Sequence, residues 1–361
     1  MCQRWQDPRR DELSLAEYQE LAREFYELGV CQVSIAGGEP LLRPDFPSII
    51  ASFSSLGMSV NVCTNGILLE KHAGELCRSG ATCVTVSLDG ATAETHERAR
   101  GAPGSFLKIE RGIRRLKECS SHGRPLVRVR MTVSNINVKE LRAYYLKWEP
   151  IVDHVLIQAA HYSPEAFYTG GDPNTFHLDN ERLAGQVAGL PLAKDPYVKT
   201  LIASLRKTGD FPRHRCYAGI LMVRIDPWGN VYPCLEQHVC VGSVREKGFK
   251  TLWQSKDFDR IRREIAEDNQ CRCWYNNTAL IGRYGRWLYL STGHGLVENS
   301  TRILYRLQQE TGLQKNARRG PGSLIKVLGK KSSQEYEKDY PGGEQLCGTR
   351  QGDGGKVLVR R

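Results

Sequence analysis

Long apolar runs are missing from this chain. No stretch approaches the ~18 consecutive apolar residues of a membrane-spanning helix, so an integral membrane class is not expected. No apolar segment follows Arg4, Arg9 and Arg10, so the start does not read as a secretory signal. No internal repeat accompanies the strand–helix alternation described below, which sets solenoids and propellers aside. Acidic excess is absent too: 51 Lys and Arg face 40 Asp and Glu, for a net charge of +11. Residues 313–361 hold 11 basic and 5 acidic residues, so over half of that excess sits in a basic tail. The body therefore offers no electrostatic footprint for nucleic acid, and neither nucleic acid nor a membrane is expected as a partner.

What is present bounds a globular protein. With 361 residues and 40% hydrophobic composition, the chain can bury one large domain or two ordinary ones. Twelve cysteines without a secretory signal point to reduced thiols in a cytoplasmic protein, some of them metal ligands. Cys31, Cys63, Cys77, Cys83 and Cys119 are scattered through strand and helix patterns and read as core or helix-face residues. Cys216, Cys234, Cys240, Cys271 and Cys273 crowd one late segment. Cys2 stands alone at the start and Cys347 lies in the tail.

Residues 14–158 alternate between two periods. Ser14-Leu15-Ala16-Glu17 is a capping box that opens a helix to about Leu28. Strands are expected over 30–36, 59–63, 83–87, 126–133 and 152–158. Helices are expected over 45–56, 70–79, 105–121 and 139–148. Five strands separated by helices predict a parallel α/β layout with right-handed crossovers. Residues 160–212 read as a polar, proline-rich connection with one helix near 197–207. Asp226-Pro227-Trp228-Gly229-Asn230 between two apolar segments signals a hairpin, and 250–267 reads as one helix. Beyond Gly312 periodicity fades, and that tail is expected to be disordered.

Four of the strands end in polar loops: Gly37-Gly38-Glu39-Pro40, Thr64-Asn65-Gly66, Ser87-Leu88-Asp89-Gly90 and Ser134-Asn135-Ile136-Asn137. Each alone is explained by turn formation. Together they predict one shared site, because parallel α/β proteins bind ligands at the carboxyl ends of their strands.

Val33-Ser34-Ile35-Ala36-Gly37-Gly38-Glu39-Pro40-Leu41-Leu42 resembles the cofactor motif of radical S-adenosylmethionine (SAM) enzymes. Cys63-Thr64-Asn65-Gly66, Ser87-Leu88-Asp89-Gly90 and His96-Glu97-Arg98-Ala99-Arg100-Gly101 fit the same family, over about residues 2–158. The resemblance implies a partial TIM-type (βα)6 barrel lacking its first strand. It implies S-adenosylmethionine held by Gly37, Gly38, Glu39, Thr64, Asn65, Ser87, Asp89 and Arg100. In such a site the glycines admit the methionine end, Glu39 receives its ammonium, Ser87 meets the ribose or carboxylate region, and Arg100 pairs with the carboxylate. The family's core [4Fe–4S] cluster needs three thiolates, and only Cys2 is present. The expectation is an N-terminally truncated chain, itself inactive, whose first strand and other two cysteines precede Met1; a cluster-less descendant is the alternative.

The late cysteines form C-x12-G-x4-C from Cys216 through Gly229 to Cys234, followed by Cys271-Arg272-Cys273. With Ile225-Asp226-Pro227-Trp228-Gly229-Asn230-Val231-Tyr232-Pro233-Cys234, this resembles the SPASM or shorter twitch extension of radical SAM enzymes. The resemblance implies one auxiliary Fe–S cluster on Cys216, Cys234, Cys271 and Cys273, with Cys240 a spare thiol. Four thiolates could also hold zinc. The expected organisation is a core over 1–159, a connection over 160–212, an auxiliary-cluster domain over 213–290, a helical extension over 291–312 and a tail over 313–361.

His96, His154 and His161 read as surface or structural histidines. Tyr217, Trp274 and Tyr275 either shield the cluster or pack the small domain. Gln158-Ala159-Ala160-His161-Tyr162 either lines a substrate cavity or is an ordinary strand-to-linker transition. The implied function is reductive cleavage of S-adenosylmethionine to a 5′-deoxyadenosyl radical, then hydrogen abstraction from a peptide or small molecule. A flavodoxin or ferredoxin is the expected electron donor. The alternative is an iron–sulfur electron-transfer module that has lost the core cluster.

Overall fold

The computed structural model describes residues 11–120, 123–160, 180–194, 196–207, 218–234 and 239–267. All of these lie in the first of the chain's two compact units, residues 1–312. Cys2, Cys216, Cys271, Cys273, Cys347, His161, Tyr217, Trp274 and Tyr275, together with the extension over 291–312 and the tail, fall outside the described residues.

Helix α1 (Leu15–Glu27) begins where the capping box predicts: Ser14 Oγ accepts from Glu17 N at 3.3 Å, and Glu17 Oε2 accepts from Ser14 N at 2.7 Å. There follow β1 (Gln32–Ile35), α2 (Phe46–Ser54), β2 (Ser59–Thr64), α3 (Leu69–Arg78) and β3 (Cys83–Ser87). The chain continues through α4 (Ala93–Arg100), α5 (Ser105–Cys119), β4 (Leu126–Val133), α6 (Leu141–Trp148) and β5 (His154–Ala159). The five strands are parallel and pair in chain order, β1-β2-β3-β4-β5. Sequential pairing winds every crossover the same way. It puts all the helices on one face of the sheet and leaves the other face inward, as in the wall of a barrel.

Strand periodicity sorts the side chains onto those two faces. Along β4, Val127, Val129, Met131 and Val133 are fully buried against the helices, while Arg128, Arg130 and Thr132 face inward. The helix-side core joins Val60, Val62, Val84 and Val86 to Phe53, Ile109, Ile113, Tyr144 and Trp148. Cys63 and Cys83 belong to the inner face, where an Asn61 amide links Ser34, Cys63 and Thr85. They are lumen-facing thiols rather than members of the helix-side core.

Two expectations are corrected. The stretch 160–212 contains a second helix, α7 (Asn180–Ala188), before α8 (Pro196–Lys207). Its Leu183, Ala184 and Val187 are buried, an apolar stripe of only three residues among polar neighbours. The helix expected over 250–267 is two helices, α10 (Phe249–Trp253) and α11 (Lys256–Glu267). The chain breaks at Gln254–Ser255, where Ser255 Oγ accepts from Phe258 N at 3.1 Å and serves as a new cap. The hairpin β6 (Arg224–Ile225) and β7 (Asn230–Tyr232) forms as expected and gains a third antiparallel strand, β8 (Gly242–Ser243), which leads into α9 (Val244–Lys247).

Candidate functional site

Hydrogen bonds join the four strand-end loops in two pairs, β1 with β2 and β3 with β4, along one rim. Glu39 is its hub. Glu39 Oε1 accepts from Leu41 N at 3.1 Å and from Thr64 Oγ1 at 2.7 Å, and Oε2 accepts from Asn65 N at 2.7 Å. The carboxylate is thus fixed between the ends of β1 and β2. Thr64 is buried and turns its hydroxyl to that task while accepting from Gly66 N at 3.0 Å. Asn65 Oδ1 closes the next turn by accepting from Ile67 N at 2.9 Å.

Gly37 and Gly38 differ from the other glycines of the rim. At Gly66 a Cβ would meet Val86 Cγ1 at 2.7 Å, and at Gly90 it would meet His96 N at 2.5 Å. The fold itself excludes side chains there. At Gly37 and Gly38 a Cβ would meet nothing within 4 Å, both residues are exposed, and neither has a left-handed backbone. Nothing in the fold requires glycine at this pair.

At the end of β3, Ser87 is half-buried and its hydroxyl has no hydrogen-bond partner among the described residues. Asp89 is wholly buried. Its Oδ1 accepts from Thr132 N at 2.8 Å, and its Oδ2 lies 2.5 Å from Arg100 Nε in a close ion contact rather than an aligned hydrogen bond. Asp89 N donates to His96 Nδ1 at 3.0 Å, which leaves the proton of the neutral ring on Nε2. Burial holds His96 down to about 4, so the ring is neutral at physiological pH. His96 is therefore a structural acceptor.

Two positioning residues were not singled out in the sequence. Asn137 is fully buried; its Nδ2 donates to Asp89 O and to Thr132 O, both at 2.9 Å, and ties the β3 and β4 loops together. Glu140 accepts from Ala91 N at 2.8 Å and from the hydroxyls of Thr92 and Thr95 at 3.0 and 2.6 Å, which pins the start of α4. Burial raises the Glu140 carboxyl, but these donors outweigh it and hold it below its usual range. Asn137 lay in one of the four polar loops, whereas Glu140 fell within the helix expected over 139–148 and carried no such signal.

The later segment is built around Cys234. Asp226 Oδ1 accepts from Trp228 N and Asn230 N at 3.0 and 2.9 Å, which sets the β6–β7 turn. Gly219 N donates to Met222 O at 2.8 Å and to Pro233 O at 2.9 Å. Arg262 Nε donates to Gly219 O at 2.6 Å while its guanidinium stacks on Trp253 and Phe258. The chain three residues past Cys216 is thereby held against the residue preceding Cys234, which is itself buried. Cys240 is exposed.

A singly wound parallel barrel wall, with its polar rim at the strand ends and a small hairpin–helix unit after it, defines a class of barrel enzymes. Residues 1–146 match the radical SAM superfamily, and residues 216–274 match an iron–sulfur cluster-binding domain of the SPASM type. The chain belongs to the radical SAM superfamily and carries a C-terminal SPASM-type domain.

Among curated relatives, the AdoMet-dependent heme synthase of Oleidesulfovibrio alaskensis is 25% identical over 303 residues, covering 75% of this chain and 74% of that protein. Mycofactocin maturase MftC of Mycobacterium ulcerans is 28% identical over 292 residues, covering 72% and 71%. Among solved structures, Streptococcus suis SuiB superposes with a TM-score of 0.53 at 16% identity, covering 70% of this chain and 62% of that one. The structure of anSMEcpe with bound AdoMet and the Cp18Cys peptide gives a TM-score of 0.52 at 15% identity, covering 71% and 76%. These likenesses share the fold. Among the described residues no helix is long and apolar enough to cross a membrane.

Proposed function

We propose that the chain is a cytoplasmic radical SAM enzyme that seats S-adenosylmethionine on the rim over β1–β3 and holds one auxiliary cluster in its later segment. The observation that carries this reading is the open glycine pair. Glycine that the fold does not need is explained by a ligand that must approach the backbone closely. Beside it stands a carboxylate whose three internal donors leave one of its roughly four acceptor sites for an ammonium.

On this reading Gly37, Gly38 and Glu39 take the amino-acid end of the cofactor. Asn65, the free Ser87 hydroxyl and the Arg100 guanidinium meet its ribose or carboxylate. Thr64 and Asp89 act through Glu39 and Arg100, which they orient. With a core site completed by two thiolates besides Cys2, S-adenosylmethionine and a [4Fe–4S] cluster would supply a 5′-deoxyadenosyl radical for hydrogen abstraction; this chain's own residues bind, orient and exclude water. Cys2 would hold part of the core cluster, and Cys216, Cys234, Cys271 and Cys273 the auxiliary one. The hydrogen bond between Gly219 and Pro233 supports the convergence of the first two auxiliary ligands.

The relatives named as a maturase and a heme synthase support a substrate that is a peptide or a small molecule. The electron donor would be a flavodoxin or ferredoxin. The domain limits proposed are 1–159, 160–212, 213–290, 291–312 and 313–361. The test is binding of S-adenosylmethionine by equilibrium dialysis after anaerobic reconstitution with iron and sulfide. Gly38→Val should weaken binding at least about tenfold while leaving the melting temperature unchanged. Retention of iron without S-adenosylmethionine binding in the wild type would favour the electron-transfer module instead.

A further inference from the structure

The inner face of β4 carries two arginines, Arg128 and Arg130, at successive inward positions. Arg128 aligns with Thr85 and His154, and Arg130 aligns with Ser87 and Leu156. Both arginines are half-buried; the Nε of each is buried without a hydrogen-bond partner, and neither makes an ion pair among the described residues. No Asp or Glu occupies an inward position on the five strands. Of the polar neighbours, the Ser87 hydroxyl beside Arg130 is uncharged, and the Asn61 group is held by other side chains. Asn61 donates to Ser34 and Cys63 and accepts from Thr85, and it carries no charge to balance the arginines. The two cations do act on their surroundings. Burial pushes the Cys83 thiol up to about 11, and Arg128 and Arg130 both pull against that rise.

A guanidinium cannot relieve its burial by losing a proton, as a lysine or histidine can. Charges held partly out of water, as these are, are stabilised when paired or ligated. Two adjacent like charges without a counter-charge also repel. An arrangement of this kind is unfavourable in the empty protein and becomes favourable when an oxyanion bridges the pair, since the planar forks match carboxylate and phosphate geometry.

We infer that Arg128 and Arg130 are the seat of a carboxylate or phosphate group on a ligand that enters the space inside the strands, beneath the rim. The inference rests on the rim being a reaction centre and deepens that reading: the substrate presents an anion to β4. The same chemistry could come from the carboxylate of S-adenosylmethionine, because Arg130 lies level with Ser87.

Thermal unfolding of the full chain, without reconstitution, separates these cases. Inorganic phosphate or succinate should raise the wild-type melting temperature by several degrees over chloride at equal ionic strength. Arg128→Gln and Arg130→Gln should melt at or above the wild type without anion and lose the anion-dependent rise. Arg130→Lys should keep a weakened rise. Equal rises in wild type and variants, no rise in the wild type, or variants that fail to fold or melt lower without anion would each overturn the proposal.

The source is read from a second pair of ligands on reconstituted protein. If Arg130→Gln weakens S-adenosylmethionine at least about tenfold and leaves 5′-methylthioadenosine unchanged, the anion is the cofactor's. If S-adenosylmethionine binding is unchanged and the phosphate-dependent rise is lost, the anion is the substrate's. Failure of the wild type to bind S-adenosylmethionine would sink the rim reading and leave the phosphate result standing.

Discussion

At the residue scale, the rim depends on groups whose hydrogen bonds are made within the fold itself. His96 shows this in a measurable way. Its ring is almost fully buried and accepts from Asp89 N, so the folded state holds it unprotonated down to about pH 4. In the unfolded chain an ordinary histidine takes a proton near pH 6.5. The unfolded state therefore binds more protons across this interval, and folded stability must fall as pH drops from about 6.5 toward 4, then level off. Between pH 7 and pH 5 this one group should remove about 2 kcal/mol of stability. His96→Asn keeps an acceptor for Asp89 N and cannot titrate, so its denaturant midpoint should change less over that range. An unchanged pH slope in the variant would refute the assignment. The sequence made Gly37, Gly38, Glu39 and Ser87 visible because a motif of unusual residue types marked them. It did not reveal Asn137, Glu140 or the inward pair Arg128 and Arg130. Their roles depend on which face or loop they share with distant residues, and a strand pattern of alternating Arg and Val says only that one face is polar.

At the element scale, α1 does two jobs: it packs on the sheet and it receives the later segment. Phe249, at the start of α10, sits edge-on to Phe25 of α1 with ring centroids 4.9 Å apart. Glu24 accepts from Phe249 N and Lys250 N at 2.8 and 3.2 Å, so a carboxylate on one helix caps the N-terminus of another. Arg245 bonds to Glu17, and its hydrogen bond is the largest cause holding that carboxyl at about 2. Phe249 is 1% exposed, and Phe249→Ala should cost about 3–5 kcal/mol of local stability. Limited proteolysis should then cut within 218–267 much faster than in the wild type, while cutting within β1–β5 stays slow. Arg245→Ala should have a far smaller, salt-sensitive effect, because that pair is solvent-exposed. The Glu17 contribution is fully present above about pH 4.5 and disappears as pH falls toward 2. None of this junction was legible in advance, since its partners lie more than 220 positions apart. The strands and the α1 capping box were legible because period and caps are local. Helix α7 was missed for the same reason: its stripe of Leu183, Ala184 and Val187 is too short to stand out among polar neighbours.

At the scale of the whole molecule, the barrel wall and the later segment are distinct in chemistry yet share one helix. The rim of β1–β4 is built of oxygen and nitrogen donors, whereas the later segment carries the thiolates proposed as auxiliary ligands. Cys234 follows β7, is buried, and has its chain neighbour Pro233 held by Gly219. Arg262 fixes Gly219 in turn, so α11 anchors the turn at Gly219 and, through Pro233, the segment that leads from β7 to Cys234. If that frame exists to present thiolates to iron, removing one ligand should empty the auxiliary site and leave the rim intact. Cys234→Ala should lose about one cluster's worth of iron, with its visible thiolate-to-iron absorption, and keep the wild-type affinity for phosphate at Arg128 and Arg130. Cys240→Ala should keep its iron, since Cys240 is exposed and its thiol points to Gly242 O at 3.5 Å. Anaerobic preparations with stoichiometric zinc and no iron would show that the thiolates hold a structural metal instead. Full iron retention by Cys234→Ala would show that the cluster ligands lie elsewhere in the chain.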